Sequence, residues 1–304
     1  MAAQMEIVKY CCPYCQHSLR FDERGKAVCE NCQATYYRYE FNDILLFDFL
    51  HLTDEKKCSC NRNGFTECSI DLKKELINAK KNSQYQERLN PPVARLLKKL
   101  KNRSLKILEL GCAEGYYGYC FAKGNIVFGL DSCVKRLLSD RGKTLNGDYR
   151  VLTLANVLKI PFADKEFDVV IATELIEHIL ETRIFLKEIN RVLKPGGELI
   201  LSTPNVASFW TRMSLLFGSG KGFAPWRILK GKSPYNPPSS IAYPYQAVHV
   251  RFFTFGSLKK TLEKSGFRVT YTTGADPVFC RIPLADKIFR NFCKTIIIKS
   301  VKRN

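Results

Sequence analysis

The stretch that most constrains this chain is residues 107–118, which read ILELGCAEGYYG. Ile107–Leu110 is an apolar, strand-like run that turns at Gly111, and a helix is expected from Gly115. A strand that ends on a glycine turn and feeds a helix N-terminus lets a ligand approach the backbone closely. Many nucleotide folds use such turns, so the segment gains its meaning from its downstream neighbours. VFGLDS stands at 127–132, ANVLKIPFADKEFDVVIATELIEH at 155–178 and RVLKPGGELILSTPN at 191–205. Strands are expected over 106–110, 126–131, 149–153, 167–173, 197–203 and 267–273. Helices are expected near 115–123, 133–140, 181–194 and 256–265. Such alternation implies a parallel sheet with helices on both faces.

In this order and spacing the segments resemble the class I S-adenosylmethionine-dependent methyltransferases over roughly residues 85–275, type 11 and ubiquinone-biosynthesis O-methyltransferases in particular. The resemblance implies an α/β fold with a doubly wound, Rossmann-like, seven-stranded sheet, in which Thr295–Ile298 adds the antiparallel edge. It also implies how the cofactor is held. The turn Gly111–Gly115 takes the methionine end, with Glu109 acting on the amino group. Asp131 closes the second strand, where a carboxylate accepts from the ribose hydroxyls. Asn156 falls where an acceptor meets the adenine amine, and Val157 and Glu174 complete the set. Ala113 stands where the family has glycine, which is tolerable only at negative φ. Tyr85 lies where relatives place an aromatic over the cofactor. A dehydrogenase would instead require G-x-G-x-x-G after its first strand; here the turn is Gly111-Cys-Ala-Glu-Gly115-Tyr-Tyr-Gly118.

A sulfonium methyl is already activated, so such an enzyme mainly aligns the acceptor with it. A hydroxyl acceptor also needs a base. Glu174-x-x-Glu177-His178 matches a Glu-x-x-Glu-His pattern of the ubiquinone-biosynthesis enzymes. This implies either a divalent cation on Glu174, Glu177 and His178 or a metal-free pocket with His178 as base. His249 and Arg251 come after a segment at 204–250 that interrupts the strand–helix rhythm. That segment holds Phe209, Trp210, Phe217 and Trp226, with five basic and no acidic residues. An insertion after the fifth strand sits above the carboxyl edge of the sheet, so it is expected to be a substrate lid. Candidate catalytic residues are therefore His178, Glu177 and His249.

Residues 1–50 read as a separate small module. Cys12-Pro-Tyr-Cys15 and Cys29-Glu-Asn-Cys32 place two thiols on each of two turns. That spacing suits tetrahedral zinc, with a redox pair as the other use of such a motif. The module resembles zinc ribbons that precede some methyltransferase domains and the small zinc-ribbon activators of tRNA and ribosome methyltransferases. Tyr36-Tyr37 and Ile44-Leu45-Leu46 fit that pattern, whereas Asn42-Asp43 stands where its Gly-Ile-Pro turn is expected. His51, Cys58, Cys60 and Cys68 are irregularly spaced and read as free thiols before a second metal site. Residues 51–100 are expected to be a linker and a helix, with the methyltransferase domain over 101–304.

Thirteen cysteines and no leader-like apolar run in the first twenty residues predict a reducing, cytoplasmic setting. No stretch is long and apolar enough to span a bilayer, although the mixed aromatic and basic lid suits the inner membrane surface. The net charge of +19 is uneven. Residues 204–304 hold 17 Lys/Arg and 3 Asp/Glu. Such a field favours an anionic partner. Three readings are expected to compete: O-methylation of an anionic small molecule, lipid or glycan; RNA methylation gripped by ribbon and basic tail; and a non-catalytic, partner-binding subunit. No Asn/Asp-Pro-Pro-aromatic motif follows the fourth methyltransferase strand, which weighs against base amino-methylation.

Overall fold

The computed structural model describes residues 9–22, 26–41, 44–49, 90–113, 115, 117–133, 137, 151–216, 249–276 and 289–303. The expectations for Tyr85, for His51, Cys58, Cys60 and Cys68, for a helix at 133–140 beyond Leu137, and for most of the lid lie outside the described residues.

Four short strands come first: β1 (Leu19–Phe21), β2 (Lys26–Cys29), β3 (Thr35–Phe41) and β4 (Ile44–Asp48). Helix α1 (Pro91–Lys98) carries proline at its first turn, where a missing N–H costs no helical bond. Next in the chain are β5 (Lys106–Leu110), a single helical turn α2 (Gly118–Phe121), β6 (Ile126–Asp131), β7 (Val151–Leu154) and β8 (Phe167–Thr173). Helix α3 (Thr182–Val192) runs directly into β9 (Leu193–Pro204), and α4 (Phe209–Leu216) comes after it. The chain closes with α5 (Phe255–Lys264), β10 (Phe267–Ala275) and β11 (Thr295–Lys302).

The central strands are apolar because both of their faces are covered. Ile107, Leu108 and Leu110 of β5 and Val127, Phe128 and Leu130 of β6 are all buried, as a parallel sheet between helices requires. Helix α3 buries Phe185, Leu186, Ile189 and Val192, one stripe at helical spacing. Helix α5 starts on a capping box in which Thr254 and Ser257 satisfy each other's backbone N–H groups. Helix α1, expected within 51–100, packs its Val93, Ala94 and Leu97 into the same core as Ile107 and Val127.

The sheet differs from expectation in three respects. Among the described residues it has eleven strands in the order β1-β2-β3-β4-β7-β6-β5-β8-β9-β11-β10. The N-terminal strands thus continue the sheet instead of preceding it as a separate body: β4 pairs parallel with β7 from Leu45↔Val151 to Asp48↔Leu154. The apolar run Ile44–Phe47 is this joining strand, with Leu46 and Phe47 both buried. Second, β11 is not an edge. It lies antiparallel between β9 and β10, and three successive residues, Ile296, Ile297 and Ile298, are buried because both faces are covered. Third, β9 begins at Leu193, so Lys194-Pro195-Gly196-Gly197 forms the irregular entry of a strand, where its pairing with β8 shifts register.

Candidate functional site

The carboxyl ends of β5, β6, β7 and β8 bring the expected cofactor residues to one edge. Glu109 is buried at the end of β5. Gly111 turns with φ 65° and Gly115 with φ 73°, conformations that favour glycine. A side chain at Gly111 would also press on Leu175, whose Cδ1 would lie 3.1 Å from the added carbon. Ala113 departs from expectation: its φ is 42°, in the left-handed region, where a Cβ is strained. What holds it there is Asp131, whose Oδ2 accepts from the Ala113 N–H at 3.0 Å while Oδ1 accepts from the Cys133 N–H at 2.8 Å. Each carboxylate oxygen retains a lone pair for a further donor. Asn156 is exposed beyond β7, and its Oδ1 accepts from the Leu158 N–H at 2.8 Å, closing a local turn beside the buried Val157.

A second cluster sits at the end of β8. Glu174 has φ 49°, and its carboxylate accepts from Ser202 Oγ at 2.8 Å. Glu174 is exposed, yet loss of water around its carboxyl raises its pKa against the Ser202 hydrogen bond. Tyr117 lies in the same neighbourhood. Burial pushes its hydroxyl up to about 12, and the negative charges of Glu174 and Glu109 add to this.

Glu177 is buried within the 3-10 turn Ile176–His178. Its Oε2 accepts from Thr203 Oγ1 at 2.9 Å, whereas Oε1 has no hydrogen-bond partner among the described residues and faces His178 Nε2 at 3.9 Å. Loss of water, reinforced by the charge of Glu174, pushes Glu177 up to about 8. The strap after the lid is fixed to this turn, because Val250 N and Arg251 N donate to the Glu177 carbonyl at 2.8 and 3.0 Å. That contact brings the His249 ring edge-on to His178, with centroids 4.8 Å apart. Donor atoms of Glu177, His178 and His249 all lie within 4.8 Å of one another. The cluster therefore consists of Glu177, His178 and His249; Glu174, expected among the cation ligands, is not part of it. Arg251 donates through Nη2 to the Leu180 carbonyl at 2.7 Å.

Sequence reasoning missed the roles of Ser202 and Thr203. Their signal was the parallel pairing of β8 with β9, which sets Thr173 opposite Ser202 and so places two hydroxyls beside the acidic residues after β8.

The four N-terminal cysteines converge as well. Cys12 and Cys32 Sγ lie 3.6 Å apart, and Cys15 and Cys29 Sγ lie 3.3 Å apart. A tetrahedral zinc with Zn–S bonds of ~2.3 Å separates its sulfurs by about 3.8 Å, so the thiols fit that ion. Gln16 and Gln33, just past each pair, take left-handed φ of 62° and 60° and turn the chain tightly around the sulfurs. The backbone N–H of His17 holds Cys15 down to about 5, whereas Cys32, despite an N–H from Ala34, is pushed up to about 12 by loss of water and by its thiol neighbours. Four sulfurs this close cannot all ionise without a cation among them.

Residues 82–272 match the family model described as a methyltransferase domain, and the chain belongs to this family of S-adenosylmethionine-dependent methyltransferases. It is 31% identical over 169 residues to a probable S-adenosylmethionine-dependent methyltransferase of Mycolicibacterium smegmatis, covering 55% of this chain and 54% of that protein. It is 31% identical over 189 residues to a ubiquinone biosynthesis O-methyltransferase of Bradyrhizobium diazoefficiens, covering 60% and 64%. The chain thus spans about half the length of the first of these relatives. Among the described residues no helix is long and apolar enough to cross a membrane.

Proposed function

We propose that the protein transfers the methyl group of S-adenosylmethionine to an oxygen of an anionic small-molecule, lipid or glycan acceptor. The observation that carries this reading is the Glu177–His178–His249 cluster beside the cofactor edge. When bound, the cofactor supplies a methyl group on a cationic sulfur. The Gly111–Gly115 turn and Asp131 orient it, and the end of β8 lines the acceptor's approach. His178, with its ring partly open to solvent, would take the proton of an acceptor hydroxyl as its oxygen is methylated. Glu177 would stabilise an imidazolium at His178 in its ionised form, which predominates above about pH 8, and Thr203 fixes the orientation of Glu177. The same three side chains suit a divalent cation, which would lower the pKa of an acceptor hydroxyl.

Anionic character in the acceptor is inferred from the 17 basic and 3 acidic residues after position 203. Exposed Val250 and Phe252 flank Arg251 next to His249, a mixture suited to a lipid-linked acceptor and to contact with a membrane surface. We also read the four-cysteine cluster as a structural zinc site. The test of function is methyl transfer from labelled cofactor into a whole-cell extract split into RNA, protein, lipid and small-molecule fractions. Label is expected in the lipid or small-molecule fraction, and to fall at least a hundredfold with His178→Ala. Label confined to a nuclease-sensitive fraction would overturn the O-methyl reading in favour of RNA.

A further inference from the structure

The N-terminal strands grip the one segment of the α/β domain that carries the adenine-side residues, and they grip it at both ends. At the near end β4 pairs with β7, and Phe49 N donates to the Leu154 carbonyl at 2.9 Å. At the far end Cys11 N donates to the Pro161 carbonyl at 3.1 Å, Ala163 N donates to the Lys9 carbonyl at 2.8 Å, and Tyr10 bridges to Phe162. Between these clamps lies 155–160, with Asn156 and Val157. Ala155 N in turn donates to the Asp131 carbonyl at 3.1 Å, so the clamped segment is tied to the ribose residue as well.

The clamp is continuous with the cysteine cluster. Cys12 and Cys29 are buried in the same core as Phe49, Ala155, Val157, Ile160 and Phe162. Cys12 Sγ lies 3.1 Å from the Tyr36 hydroxyl. Tyr36 packs on Phe49 at 5.0 Å, Phe49 on Tyr10 at 5.8 Å, and Tyr10 on Phe162 at 5.0 Å. Short strands with so little core of their own take much of their order from a bound metal. Packing alone does not make two sites communicate; a two-state element biased by both does.

We propose that the Cys12, Cys15, Cys29 and Cys32 centre is a positioning site for the cofactor: a tetrahedral thiolate-bound metal ion keeps the ribbon clamped on 154–163, and its loss weakens cofactor binding at a distance. This rests on the zinc and S-adenosylmethionine readings above, and the test separates their failure from its own.

The full chain is purified, its zinc is counted, and S-adenosylhomocysteine is titrated calorimetrically before and after metal removal. About one zinc per chain is expected, with at least fivefold weaker binding after removal and recovery on adding zinc or cadmium. Hydrogen exchange is measured in parallel and should speed up at 151–163 in the metal-free protein, while β8 and β9 stay protected. Cys32→Ser, at the exposed ligand, should reproduce both effects. Absence of metal and of any cadmium–thiolate absorption band overturns the zinc reading and the proposal with it. Absence of ligand binding in the metal-loaded chain overturns the cofactor reading. Stoichiometric metal whose removal leaves both ligand affinity and exchange at 151–163 unchanged overturns the coupling alone.

Discussion

Glu177 is a carboxyl that folding makes reluctant to ionise, and replacing it should reveal how much stability the site gives up. Its pKa rises from 4.5 to about 8 through burial and the charge of Glu174. The folded state therefore holds the proton more tightly than the unfolded chain does. Hence no stability is lost below pH 4.5, the loss grows between pH 4.5 and 8, and it is complete above pH 8. At about 1.4 kcal/mol per pH unit, the full loss is about 5 kcal/mol. Glu177→Gln keeps an oxygen for the Thr203 hydroxyl and carries no charge. The variant should match the wild type in stability at pH 4.5 and exceed it by about 3–5 kcal/mol at pH 9. The measurement is urea unfolding of both proteins, free of ligand and added divalent cations, at a series of pH values. Methyl transfer should fall in the same variant at pH 8 and above, where wild-type Glu177 is ionised and its charge faces His178, and should change little below pH 7. A stability difference that does not change between pH 4.5 and 9 would refute the reasoning, since it would mean that Glu177 titrates alike in both states.

Asp131→Asn should cost about 2 kcal/mol of stability, because the amide NH2 confronts either the Ala113 or the Cys133 N–H. It should also weaken S-adenosylhomocysteine more than thirtyfold in calorimetry, and unchanged affinity would remove Asp131 from the ribose site. Ala113→Gly relieves a left-handed alanine and should stabilise the chain by about 0.5–1 kcal/mol in thermal unfolding; a lower melting temperature would deny the strain. Binding of the methyl acceptor should weaken steeply between low and high salt. Equal affinity at both would detach the basic C-terminal third from substrate recognition.

Much of the candidate site's layout could be read from sequence because its residues are tied to strand ends. Glu109, Gly111, Gly115, Asp131, Asn156 and Glu174 each stand at a fixed place near the end of an apolar run, and a parallel sheet brings such ends to one edge. The four cysteines were legible for a similar reason, since each pair sits on a turn of its own and the spacing sets the reach of both. Ala113 was not, because its φ is decided by a hydrogen bond to Asp131, eighteen residues away, and not by its own side chain. Thr203 was not, because a threonine at the end of a strand looks alike whether or not a carboxyl lies across from it.

By itself, the sequence determined the alternation of strands and helices, the glycine turn, the acidic residue that closes β6 and the paired thiols. These are features of local composition and period, and they hold whatever the distant chain does. The tertiary structure alone decided which elements meet. Two backbone hydrogen bonds to the Glu177 carbonyl put His249 beside His178 and leave Glu174 to Ser202. Parallel pairing of β4 with β7 turned a separate module into part of the sheet. Burial on both faces drew β11 between β9 and β10. Apolar periodicity tells a residue that it will be covered; what covers it is set by the free energy of the whole packing arrangement, which no local stretch contains.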